Sequence, residues 1–222
     1  CEYYAGLSGK PAMIQESGTF SDMLINREGA ADFVRINICS SYANGFNGYY
    51  WWCSHEHLKL SKPPYTWSMI ERELGLLDID RKPKPVGKEL KRLGDLLDTL
   101  PELSPKITDS VIVLSYGQEQ QPIAITSFIL AKRAGLTPAI ASCAHEIPKA
   151  PLYILPSISG WASLHKEEYD TLIERVKEGA TLLITVESGL ICEFETVTGL
   201  RSYGMSAGGK GSFTLDGCEL PF

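Results

Sequence analysis

No CxxC pair links any of the six cysteines, no basic block interrupts the chain, and no apolar stretch approaches the ~18 residues of a membrane span. The N-terminus also lacks a charged region followed by an apolar one, so nothing there reads as a secretory leader. These absences predict a soluble protein without a membrane anchor. Charge excludes another class: 21 Lys+Arg stand against 27 Asp+Glu, a net −6 that repels phosphate backbones and makes nucleic acid a poor partner. Cys1, Cys39, Cys53, Cys143, Cys192 and Cys218 are even in number but widely scattered, a spacing that fits free thiols better than a disulfide framework and leaves the compartment open.

The sequence does have ordinary globular composition, 44% hydrophobic and 22% charged, over 222 residues. At about 150 residues per domain, that length allows one to two domains. The first residue is Cys rather than Met, and the expectation is a chain that begins mid-protein.

Periodicity divides the chain in two. A strand is predicted over 12–16, behind Pro11, and a helix over 21–39 with Ala31, Val34 and Ile38 on one face and Ser21 or Asp22 as cap. An aromatic strand follows over 46–53, and a second helix over 85–98 buries Val86, Leu90, Leu93 and Leu97. Two prolines and a polar run over 99–110 read as a linker. Beyond it, VIVLSYG (111–117) is a β-branched run suited to a buried parallel strand. A helix to about 134, strands at 138–142 and 152–156, a helix over 166–178 and a fourth buried strand, TLLITV (181–186), complete the pattern. The fold class is α/β, with the second unit a doubly wound parallel sheet of flavodoxin-like type. Residues 199–222 are Gly-rich and read as the start of a β element or a tail.

Two spots carry candidate chemistry. Glu16 closes an apolar strand, where α/β barrels gather reactive groups. A carboxylate there can attack an anomeric carbon if a second carboxyl, about 5–5.5 Å away in a retaining enzyme, protonates the leaving group. It serves equally well as a helix cap at the positive end of the dipole. The other spot is Tyr49-Tyr50-Trp51-Trp52: alternation sends the two indoles to opposite faces, so at most one enters the core and the other is free to stack on a pyranose. Cys53, His55 and His57 alternate as zinc ligands can, but a fourth donor is not evident, and no metal or other cofactor is expected. His145, Glu146 and His165 read as surface residues. Cys143 makes a weak glutaminase nucleophile, Ser157 and Ser159 lack a GxSxG frame, and Gly208-Gly209-Lys210-Gly211 lacks the strand–helix context of a phosphate loop.

KPAMIQESG (10–18) followed by GFNGYYWWCSHEH (45–57) resembles strands seven and eight of a clan A retaining glycoside hydrolase of the family 5, family 2 and family 42 kind. The resemblance implies Glu16 as nucleophile and Trp52 or Trp51 as the sugar platform, with Tyr50 and His55 as further substrate contacts. ELGLLDIDRKPKPVGKELKRL (73–93) looks like the segment that closes such barrels. APLYILPSI (150–158) and EGATLLITVESG (178–189) resemble the flavodoxin-like, glutamine-amidotransferase-like domain that follows the barrel in family 42 β-galactosidases.

The resemblance thus implies the last βα units of a (β/α)8 barrel over 1–104, a flavodoxin-like domain over 105–200, and a β element or tail over 201–222. The implied activity is retaining hydrolysis of β-linked sugars, β-galactosidase-like or endo-glycanase-like. A full barrel needs about 250 residues, and the fourth strand that bears the acid/base is missing here. The expectation is therefore part of a larger or nicked glycosidase, inactive alone, whose partners are a carbohydrate substrate and the remainder of the barrel. The competing reading is a non-catalytic flavodoxin-like module for oligomerisation, domain docking or carbohydrate binding.

Overall fold

Asn26 sets the first long helix. Its backbone is extended and its side chain accepts a hydrogen bond from the Gly29 N–H at 2.6 Å, a normal N-cap. The computed structural model describes residues 2–6, 10–18, 25–67, 72–102, 104, 106–159, 162–188, 190–203 and 212–221. In chain order these form α1 (Glu2–Ala5), β1 (Met13–Ser17), α2 (Arg27–Ala43), β2 (Gly48–Trp51), α3 (Pro85–Leu97), β3 (Ser110–Leu114), α4 (Gln120–Arg133), β4 (Pro138–Ser142), β5 (Leu152–Ser159), α5 (Lys166–Lys177), β6 (Thr181–Ser188), α6 (Phe194–Thr198), β7 (Ser212–Leu215) and β8 (Cys218–Pro221). The helix expected from residue 21 starts at Arg27, because Asn26 supplies the cap; Ser21 and Asp22 lie outside the described residues. The Gly208–Gly211 turn also lies outside them.

β1 and β2 pair in parallel as a two-stranded sheet. Helices cover one of its faces: Ala30, Val34 and Ile38 of α2 and Val86 and Leu93 of α3 form a core against which Tyr49 and Trp51 pack. All four residues expected on the α3 face take part, Leu90 and Leu97 from its margin. Polar contacts tie the same two helices: Arg35 of α2 donates to Glu89 of α3 at 2.6 Å, and Arg92 donates to the same carboxylate. Hydrogen bonds from Arg92 and Arg35 hold the Glu89 carboxyl down at about 2.

The second sheet has the order β4-β3-β5-β6, all parallel. Alternation along β3 explains its burial on both faces. Val111 and Val113 join Tyr153, Leu155 and Leu172 of α5 on one side. Ile112 and Leu114 join Ala124 and Ala131 of α4 on the other. The strand expected to be a fourth buried one, TLLITV, is instead the sheet edge, with Leu183 51% and Val186 44% exposed. An apolar run looks alike in a central and an edge strand; only the strand order decides. β7 and β8 pair in antiparallel through Asp216-Gly217, both at positive φ, as a tight hairpin of this kind requires. The five described cysteines, Cys39, Cys53, Cys143, Cys192 and Cys218, are free thiols.

Two expectations follow. Leu172→Ala, at a buried position, costs about 2–5 kcal/mol in urea unfolding, whereas Leu183→Ala on the exposed edge stays within about 0.5 kcal/mol; equal losses would contradict the edge assignment. For Glu89 the folded pKa lies below the unfolded one, so its contribution is present above the unfolded pKa and is lost as pH falls toward 2. The stability gap between wild type and Glu89→Gln should therefore be full at pH 6 and close between pH 4.5 and 2; a gap independent of pH would rule out the Arg35–Glu89–Arg92 cluster.

Candidate active site

Parallel pairing sends the C-terminal ends of β1 and β2 to the same edge of their sheet. Met13 pairs with Gly48, Ile14 with Tyr49 and Ser17 with Trp51. From Ile14 to Ser17 is three steps and from Tyr49 to Trp51 is two, so β1 carries one extra residue there, a bulge that holds Gln15 and Glu16. Glu16 is exposed on that irregular stretch, and no described residue forms a hydrogen bond or ion pair with its carboxylate. It does not act as the cap of α2, which Asn26 provides.

Opposite faces of β2 receive its aromatic residues in turn. Tyr49 donates its hydroxyl hydrogen bond to Ser17 Oγ at 2.7 Å, and burial pushes its phenol pKa up. Trp51 lies on the helix side, edge-on to Phe33, with its Nε1–H donating to the Leu74 carbonyl at 3.1 Å. Tyr50 and Trp52 stand on the other side and are 58% and 43% exposed. The Trp52 N–H donates to the Ser17 carbonyl at 2.6 Å, which extends the strand contact to the rim. The Trp52–Cys53 peptide bond is cis.

His55 is exposed and forms an isolated parallel bridge with Leu77. Cys53 is buried; its thiol donates to the His55 carbonyl at 3.1 Å, and its Sγ lies 3.7 Å from His57 Nε2. Among the described residues no three His, Cys, Asp or Glu side chains gather as a metal site would need. Sequence reasoning missed three contributors to this edge: Ser17, which anchors Tyr49; Gly18; and the buried Glu56–Lys84 pair. Only the Gly18 position had a visible signal, as the strand break after Glu16.

In the second sheet, Cys143 is 2% exposed, and burial followed by the nearby Glu168 charge raises its thiol pKa. A nucleophilic cysteine needs the opposite shift, so this thiol is unsuited to glutaminase chemistry. His145 and Glu146 are exposed, and His165 is exposed while stacking on Tyr116 at 4.3 Å.

A Cβ on Gly18 would sit 2.7 Å from the Trp52 carbonyl oxygen. Gly18→Ala is therefore expected to displace the Trp52 backbone and to cost about 1–3 kcal/mol, seen as a lower unfolding midpoint and an altered near-ultraviolet tryptophan signal. An unchanged midpoint would show that the two strand ends are not held this closely.

No family model matches the chain, and no curated protein matches it. Solved structures do. The exo-β-1,4-mannosidase Op5Man5 from Opitutaceae bacterium strain TAV5 superposes with a TM-score of 0.71 at 18% identity, over 95% of this chain and 39% of that one. The GH42 β-galactosidase Gan42B gives 0.62 at 11% identity, over 99% of this chain and 36% of that one. The β-galactosidase of the Antarctic haloarchaeon Halorubrum lacusprofundi gives 0.55 at 13% identity, over 79% and 27%. The chain thus spans less than two fifths of each of these proteins. At these identities the likeness is one of fold: this mixed α/β chain with parallel sheets has the fold of part of each of these larger proteins.

Proposed function

We propose that this chain carries the nucleophile side of a retaining β-glycosidase site. The observation that carries the reading is the exposed Glu16 carboxylate on the β1 bulge, without a partner among the described residues, beside a parallel strand whose end presents exposed Tyr50 and Trp52. Glu16 Oε attacks the anomeric carbon as the bond to the glycosidic oxygen breaks. A carboxylic acid from outside this chain gives its proton to that leaving oxygen. The resulting carboxylate then takes a proton from water, whose oxygen displaces Glu16 from the sugar and restores both groups. Trp52 is the platform for the apolar sugar face, while Tyr50 and His55 hydrogen-bond to hydroxyls. Trp51, on the helix side, supports Trp52 from behind rather than touching sugar.

The fold likeness to an exo-mannosidase and to β-galactosidases supports β-linked sugars as the substrate class. The proposed division is a terminal barrel portion over 1–104, a flavodoxin-like domain over 105–200 and a β element over 201–222. The order β4-β3-β5-β6, second-first-third-fourth in that unit, supports the flavodoxin-like reading. A second reading makes that unit a non-catalytic module for self-association or carbohydrate binding, favoured by the exposed Leu183 and Val186 on its edge strand.

Glu16→Gln in the complete protein should lower kcat on an aryl β-glycoside at least about a hundredfold. Activity retained above that level rejects the nucleophile role and leaves the module reading.

A further inference from the structure

Behind the Trp52 rim the chain doubles back as a strap. Residues 74–77 run beside 53–56: Leu76 N–H donates to the Cys53 carbonyl, Leu77 N–H to that of Ser54, and Glu56 N–H to that of Leu77, each at 3.0 Å. A Cβ on Gly75 would fall 2.3 Å from Glu56 N, so only glycine lets the two segments approach this closely. Glu56 and Lys84 close the strap from within. Their side chains are 3% and 4% exposed and meet at 2.8 Å. Lys84 Nζ also donates to the Glu73 carbonyl at 2.7 Å, and the Lys84 N–H to that of Leu76 at 2.9 Å. The strap in turn holds the indole of Trp51 through the Leu74 carbonyl.

Burying two charges is a poor route to stability, because desolvation offsets most of their attraction and a well-packed apolar pair does as well. What the pair does supply is direction: one ammonium holds a carboxylate and a chosen carbonyl at fixed positions. We infer that Glu56 and Lys84 are positioning residues that set, through the strap, the placement of the Trp51–Trp52 rim. The inference rests on the reading that Trp52 receives the sugar, and neither residue touches substrate.

The test compares wild type with Glu56→Gln, Lys84→Met and the double variant in the complete protein. The readouts are unfolding midpoint, the indole N–H resonance of Trp51 and kinetics on an aryl β-glycoside. Each single variant strands a buried charge or its partner and lowers the midpoint; the double variant regains it. Positioning predicts that the refolded double variant still shows a displaced Trp51 resonance and a KM raised about tenfold, with kcat changed less. A restored midpoint together with a wild-type resonance or a wild-type KM overturns the inference and leaves the pair structural. If the double variant does not fold, Glu56→Asp replaces it, since it keeps the charge but draws it back by one methylene; the same two readouts decide in the same way. If the protein turns over no glycoside, the proposed function fails, and the resonance alone decides the positioning.

Discussion

The parallel register of β1 on β2 is the constraint on which the candidate site depends. A slip of one residue would turn every side chain to the opposite face. Trp51 would leave the helices and Trp52 would enter them. The register is held on the helix side, where Tyr49 reaches Ser17, Trp51 reaches Leu74, and both pack over Val34 and Leu93. It is relaxed at one point only, the bulge that frees Glu16 from regular pairing. Firm packing behind and irregular backbone in front leave one carboxylate and one indole open at a common edge.

The open face of this small sheet is unusual for a folded unit. Met13, Tyr50 and Trp52 are each more than two fifths exposed, while the helix face is well filled. A parallel strand pair normally has both faces and both edges covered. The proposed function accounts for this, because the remaining barrel strands would flank the pair and its interior face would line the sugar site. The four-stranded sheet, by contrast, satisfies its centre: β3 is buried on both sides by α4 and α5, and β4 and β6 are its two edges.

Much of this was legible in the sequence. The β-branched run at 111–114 and the apolar faces of α3 and α5 announce their burial through periodicity, which depends only on local order. Over 199–222 only the start of a β element or a tail is legible, and the turn at Asp216-Gly217 that pairs β7 with β8 is seen in the structure alone. Other features depend on what lies beside them. Whether TLLITV is central or marginal is settled by strand order, and the start of α2 by which of several polar residues caps it. The Glu56–Lys84 pair was the least visible: within SHEHLKL and RKPKP these residues look like solvated loop charges, and only the return of the strap brings them together out of water. At the site, the alternation of Trp51 and Trp52 was readable, but the bulge that presents Glu16 was not, since no residue type marks it.

The central claim is that Glu16 forms a covalent bond to the sugar. It is tested most directly by treating the complete protein with 2-deoxy-2-fluoro-β-glycosides that carry a dinitrophenolate leaving group, then mapping the label by peptide mass spectrometry. Such a leaving group departs without a proton donor, so the experiment isolates the nucleophile. The expected result is a single fluoroglycosyl ester on Glu16, formed as dinitrophenolate is released. A label on any other carboxylate would contradict the account.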